Sequence, residues 1–238
     1  MKILLLGSQH GNELLGEKLY EYIKINHPDL MPYITYKLAN PRARQANLRY
    51  IDSDMNRSYD STDMRSYEAQ RARQVLDYIN SKQFDLVIDL HTTRCIQPIS
   101  IMVKHLNARN HSFIRASHIK HIVLMQHSLV NHSLIGVCTQ AISIEVHDRK
   151  VETTLTSLCD DLRRFMIVKP YSVDRQYYVI RNLIDKTELT KIQASNLVNF
   201  QKSEYGYYPI LTGNNSYKKN TAYLGFKGEK VGYNESND

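Results

Sequence analysis

Residues 4–13 read LLLGSQHGNE, and this stretch limits the possible folds more than any other in the chain. The aliphatic run Ile3 to Leu6 has no polar face. It therefore reads as a strand covered on both sides, as in the parallel sheet of an α/β protein. Gly7 breaks the run. Apolar residues then recur at helical spacing (Leu14, Leu15, Leu19, Tyr22, Ile23), which predicts a helix from Glu13 to Ile25 closed by Asn26-His27-Pro28. At the junction His10 and Glu13 stand at i, i+3, where an imidazole nitrogen and a carboxylate oxygen can meet one cation. The spacing alone is a weak signal, because the helix dipole by itself favours an acidic residue in a first turn. Gly7, Gly11 and Gly16 match neither G-x-G-x-x-G nor G-x-x-x-x-G-K-[ST], which argues against a nucleotide loop.

A catalytic zinc usually takes three protein ligands and leaves a fourth position open. The third ligand is expected from a distant strand end, and Asp89-Leu90-His91 closes the apolar run Phe84 to Leu90. Ligands of open α/β sheets gather beyond the carboxyl ends of the strands, where both histidines would lie. Further strands are expected at residues 33–38, 99–103, 122–125 and 141–146. Helices are expected at residues 66–81, 106–120 and 151–166. Residues 40–59 form a long polar loop of the kind that usually carries function. After Pro170 the chain becomes tyrosine-rich, with β-like runs at residues 177–184 and 221–227. These patterns predict a mixed, mainly parallel α/β sheet flanked by helices over residues 1–167, with a small, mainly β domain over residues 168–238.

The 238 residues suffice for a full core, and 42% hydrophobic with 23% charged content is ordinary for a globular chain. The leading apolar run is too short for a signal or a membrane span. Cys95, Cys138 and Cys159 show neither C-x-x-C spacing nor a disulfide framework, so a cytoplasmic setting is expected. The net charge of +7 raises the question of nucleic acid, but the basic residues form no stripe interleaved with aromatics. The excess reads as solvated surface plus a pocket for a small anion, with no nucleic-acid or membrane partner and with homo-oligomerisation left open.

Four segments then occur in order: GSQHGNE, NPRA followed by LRYIDSDMNR, DLHTT and ISIEV. Together they resemble the succinylglutamate desuccinylase/aspartoacylase family of zinc amidohydrolases with a carboxypeptidase-like fold. The resemblance implies one zinc per chain, held by His10, Glu13 and His91. It implies that Glu145 acts as general base and then general acid, and that Arg49 polarises the scissile carbonyl. Asn56 and Arg57 would grip the substrate carboxylate, and YPILTGNNSY would lend Tyr217 to the site. In members specific for acylated aspartate, an arginine ten residues before the general base reads the side-chain carboxylate. Here that position is Ile135, which puts an aspartate substrate in doubt because a second carboxylate would have no cation.

The chemistry is consistent with these roles. Zinc brings the pKa of bound water to about 7, the leaving amine needs a proton, and a guanidinium fork matches a carboxylate. The reading is therefore a zinc-dependent deacylase of an N-acyl amino acid or related small carboxylate. A zinc carboxypeptidase and a non-catalytic protein of the same fold are the alternatives. Chain order disfavours the carboxypeptidase, whose site tyrosine would precede the general-base glutamate.

Overall fold

A computed structural model of the chain describes residues 1–213 and 223–232. In chain order it contains β1 (Ile3–Gly7), α1 (Leu15–Asn26), β2 (Ile34–Leu38), α2 (Pro41–Ala46), α3 (Tyr67–Lys82), β3 (Leu86–Thr93), β4 (Ser100–Val103), α4 (Ala108–Ala116) and β5 (His121–Met125). There follow α5 (Leu134–Val137), β6 (Ala141–His147), α6 (Val151–Met166), β7 (Gln176–Asp185), α7 (Lys191–Ser195), β8 (Tyr208–Ile210) and β9 (Tyr223–Val231). The described strands join one sheet in the order β2-β1-β3-β6-β4-β5-β7-β9-β8. Pairing is parallel from β2 through β1 and β3 to β6, and again from β4 through β5 to β7. The two blocks meet antiparallel at β6 and β4, and β9 and β8 finish the sheet antiparallel. The β-like runs after residue 168 extend this same sheet, with β7 parallel beside β5. The run expected at residues 221–227 is described from Tyr223, as β9.

A strand's period of two gives the sheet two different faces. Leu86, Ile88 and Leu90 of β3 join Ile142, Ile144 and Val146 of β6 beneath α1, α4 and α6. α6 meets them with Leu155, Leu158, Leu162 and Phe165, one apolar stripe at helical spacing. On the other face Leu4, Leu6, Val87, Met102 and Val123 pack against Ala72, Val75 and Ile79 of α3 and against Leu134 and Ile135 of α5. Each fully buried aliphatic side chain of this kind contributes roughly 1.5–3 kcal/mol. These two layers let the fold carry a set of buried charged groups, and the same alternation turns Asp89 and His91 to the α3 side, with Val87. The central strand thus holds its site residues in register with its core.

Local signals set the helix boundaries. Ser66 caps α3 by accepting from the Ala69 N–H at 3.1 Å, and Gln83, at φ 50°, ends that helix in the left-handed region. The helix expected at residues 106–120 is shorter, because the Asn107 side chain starts it by accepting from the Arg109 and Asn110 N–H groups and Ser117 leaves it extended. No described helix is long and apolar enough to cross a membrane.

Candidate active site

The first loop is built by close backbone approaches. Ser8 takes φ 54°, a conformation that costs an L-residue about 1 kcal/mol or more. It is held there because its hydroxyl donates to the Glu13 carbonyl at 2.9 Å and its own carbonyl accepts from Asn40 N–H at 3.2 Å. Gly11 lies so close to α2 that a Cβ would stand 2.0 Å from the Ala43 carbonyl carbon. The helix expected from Glu13 begins only at Leu15, so His10 and Glu13 both lie in the loop. Their spacing is set instead by a turn, in which the Glu13 N–H donates to the His10 carbonyl at 2.9 Å.

That turn brings Glu13 between two imidazoles. Its Oε1 lies 2.8 Å from His10 Nδ1 and its Oε2 lies 2.8 Å from His91 Nδ1, and the Thr92 N–H donates to Oε2 at 3.1 Å. One ligand atom from each of His10, Glu13 and His91 falls within 4.8 Å of the others, and all three residues are buried. The outer nitrogens are also engaged. His10 Nε2 lies 3.0 Å from Asp54 Oδ1, and His91 Nε2 lies 2.8 Å from Asp89 Oδ2, which also accepts from Gln9. Burial alone would lower both histidine pKa values, but Glu13 with Asp54 raises that of His10, and Asp89 with Glu13 raises that of His91 further. Burial works against the charge on Glu13 too, yet the two imidazoles hold its carboxyl below the usual range. The three carboxylates therefore favour a proton on each imidazole, and a single dication can replace both protons. Two imidazoles and a carboxylate converge in an arrangement that could hold a cation, with a further carboxylate on the outer nitrogen of each ring.

The loop of residues 47–57 borders this cluster. Arg49 donates to Asp54 Oδ2 at 3.1 Å and lies 3.5 Å from Glu13 Oε1. Asp54 accepts as well from Asn56 N–H at 3.0 Å, and charge from His10, Arg49 and Arg57 keeps its carboxyl ionised despite burial. The Asn56 side-chain oxygen accepts from Leu134 N–H at 3.2 Å, tying the loop to α5. Glu145 stands on β6 directly beside His91 on β3. Burial raises its pKa to about 7, against the opposing pull of His91 and His10.

A cavity of about 370 Å³ opens over these groups. His10, Glu13, Arg49, Asn56, Arg57, His91 and Glu145 all line it, so seven of the eight residues singled out in the sequence share one space. Tyr217, the eighth, lies outside the described residues. The cavity continues to Met102, Met125, Val130, Ile135, Leu211 and Phe226, and Arg94, Ser133 and Ser143 line it as well. Asp54 and Gln9 escaped the sequence reading. Each sits within a quoted motif, but no spacing rule marks a residue whose role is to hold the far nitrogen of a ligand or to steady the group that does.

Residues 1–153 match the family model of the succinylglutamate desuccinylase/aspartoacylase catalytic domain. The chain belongs to this family. It is 32% identical over 135 residues to an aspartoacylase of Mus musculus, a match covering 49% of this chain and 41% of that protein. It is 35% identical over 105 residues to an N-acyl-aromatic-L-amino acid amidohydrolase (carboxylate-forming) of Xenopus tropicalis, covering 39% of this chain and 34% of that protein. A mutant of murine aminoacylase 3 shares the fold with TM-score 0.73 at 19% identity, over 97% of this chain and 94% of that one. The match thus covers less than half of the length of each of these two curated relatives.

Proposed function

We propose that the protein is a zinc-dependent amidohydrolase that cleaves the acyl group from an N-acyl amino acid whose remaining variable group is uncharged and apolar. One observation carries this reading. The His10–Glu13–His91 cluster and Glu145 line one cavity, together with the apolar side chains of Met102, Met125, Val130, Ile135, Leu211 and Phe226.

Zinc, when held by His10, Glu13 and His91, supplies a Lewis acid and acidifies the attacking water. Glu145 takes that water's proton and returns it to the amide nitrogen as the C–N bond breaks, leaving a carboxylate and a free amine. A carboxyl with a pKa near neutrality suits both halves of the transfer. Arg49 places positive charge where the carbonyl oxygen becomes an anion, and loss of such a donor costs roughly 3–4 kcal/mol of barrier. Asn56 and Arg57 hold the substrate carboxylate, a guanidinium fork against two oxygens. The apolar wall, with Ile135 in it, receives the variable group. The substrate in the frog relative's name, an N-acylated aromatic amino acid, fits such a wall. The residues after 168 contribute Leu211 and Phe226 to it. Cys95, Cys138 and Cys159 are buried and joined by no disulfide, which suits a reaction in the cytoplasm.

Amine release from a panel of N-acetylated amino acids by the zinc-loaded protein tests this reading. Turnover is expected with apolar side chains, and kcat/KM for N-acetylaspartate is expected to be lower by roughly 100-fold or more. A preference for N-acetylaspartate, or no turnover of any member, overturns the proposal.

A further inference from the structure

The loop between Arg49 and Arg57 has no regular structure beyond a 3-10 turn at Met55–Arg57, yet Arg49, Asn56 and Arg57 all reach the cavity from it. Behind it lies Glu68, in the first turn of α3 and fully buried. Glu68 Oε1 accepts from the Ile51 N–H at 2.7 Å and from Asn40 Nδ2 at 3.1 Å. Its Oε2 accepts from the Asp52 N–H at 3.0 Å and the Ser53 N–H at 3.2 Å. A buried carboxylate is costly unless several donors satisfy it, and here three consecutive backbone amides and one side-chain amide do so. Asn40 carries the link onward, since its N–H donates to the Ser8 carbonyl at 3.2 Å and its Oδ1 caps α2 at the Ala43 N–H, 3.1 Å away.

We infer that Glu68 is a positioning residue for the proposed reaction. Its carboxylate clamps the amides of residues 51–53 and so fixes Arg49 on one side of them and Asp54, Asn56 and Arg57 on the other. The inference rests on the proposed substrate roles of those loop residues. Its physical core, that Glu68 sets the rigidity of residues 49–57, does not depend on them. Glu68 accepts no hydrogen bond from His10, Glu13 or His91 and reaches them only through Asp54 and through Asn40 and Ser8, so with zinc supplied in excess the metal ligands stay occupied while the loop loosens. In sequence it resembles any acidic residue in a first helical turn, where the helix dipole alone would favour it.

The test compares Glu68→Gln, Glu68→Asp and, as a control on the exposed side of α3, Asp77→Asn. Glu68→Gln keeps the size of the side chain but sets an NH2 group against N–H donors. Hydrogen exchange is expected to speed up roughly tenfold or more in peptides covering residues 49–57, with those covering β3 and the rest of α3 unchanged. Zinc content is expected to stay at the wild-type level. For the N-acetylated substrate the wild type turns over best, kcat/KM is expected to fall by roughly 100-fold through both kcat and KM, as a loop displaced by about 1 Å would give. Glu68→Asp, charged but one methylene shorter, is expected to fall between wild type and Glu68→Gln, and it carries the test should Glu68→Gln not fold. Wild-type exchange at residues 49–57 in both Glu68 variants, or faster exchange there in Asp77→Asn, overturns the inference. So does faster exchange spread over the whole chain with a matching fall in Tm, which marks a purely structural role. A wild type without turnover overturns the proposed function alone, and the exchange experiment still decides the clamp.

Discussion

Asp89→Asn separates the charge behind His91 from the shape of the pocket. Asp89 is 1% exposed and its Oδ2 lies 2.8 Å from His91 Nε2. Asparagine is the same size, and its carbonyl can still accept from the imidazole. That same carbonyl still accepts from the Gln9 amide, and the new NH2 takes the place of Oδ1, a buried oxygen with no hydrogen-bond partner. The substitution therefore removes a charge with little change in packing. Loss of a carboxylate from the outer nitrogen of a metal-binding histidine costs about 10- to 100-fold in metal affinity, or about 1.4–2.7 kcal/mol. The pH dependence identifies the cause. In the wild type both imidazoles have raised pKa values, so cation binding competes with protons on both rings and the apparent affinity rises with pH. Without Asp89, burial brings the His91 pKa down, opposed only by Glu13, and the rise of affinity with pH becomes shallower. The variant's deficit therefore widens as pH rises, because proton competition no longer masks the weaker ligand. Zinc affinity measured by chelator competition from pH 6 to 8.5 provides the assay. An unchanged affinity and slope, or a deficit that narrows with pH, would refute the reasoning.

Ile135→Arg sets a cation in the apolar wall. The ratio of kcat/KM for an N-acetylated apolar amino acid to that for N-acetylaspartate should fall by about tenfold or more, measured with both substrates on one preparation. Gly11→Ala forces a Cβ to within 2.0 Å of the Ala43 carbonyl carbon. Denaturant unfolding should show a loss of at least about 2 kcal/mol, since backbone must move. His121 packs on Phe200 with ring centroids 4.5 Å apart, and burial, then Lys120 and Lys230, lowers its pKa to about 4. A lowered histidine pKa means that the stability from keeping the ring neutral is complete above the unfolded value of about 6.5 and is lost as pH falls towards 4. In Tm measured from pH 7 to 4, His121→Phe should lose less than the wild type across that window, and a parallel decline in both would contradict the assignment.

The parts of this protein legible in sequence are those that repeat a period or end a run. The aliphatic stretches at Ile3–Leu6 and Leu86–Leu90 mark central parallel strands because burial on both faces leaves no room for alternating polar residues, and His91 and Glu145 are conspicuous as polar ends of such runs. The parallel pairing of β5 with β7 was not legible. Tyrosine-rich, half-exposed strands carry no mark of the sheet they join, and partner choice is settled by contacts distant in sequence. The helical spacing of Leu14, Leu15 and Leu19 predicts a start at Glu13, two residues before the helix begins. The close approach of Gly11 to α2, which keeps the loop out of the helix, involves residues more than thirty apart. Asp54 and Glu68 were invisible as site residues for a similar reason. Their work is to hold other groups, and only geometry distinguishes them from ordinary loop and first-turn acids.

The central claim is that His10, Glu13 and His91 hold one zinc ion while Glu145 transfers the proton without binding the metal. Elemental analysis and amine release, measured together on wild type and on Glu145→Gln after zinc loading, test it most directly. The account predicts one zinc per chain in both proteins, with turnover of an N-acetylated apolar amino acid reduced by at least about 100-fold in the variant. Loss of the zinc from Glu145→Gln, or undiminished turnover in it, would contradict the account.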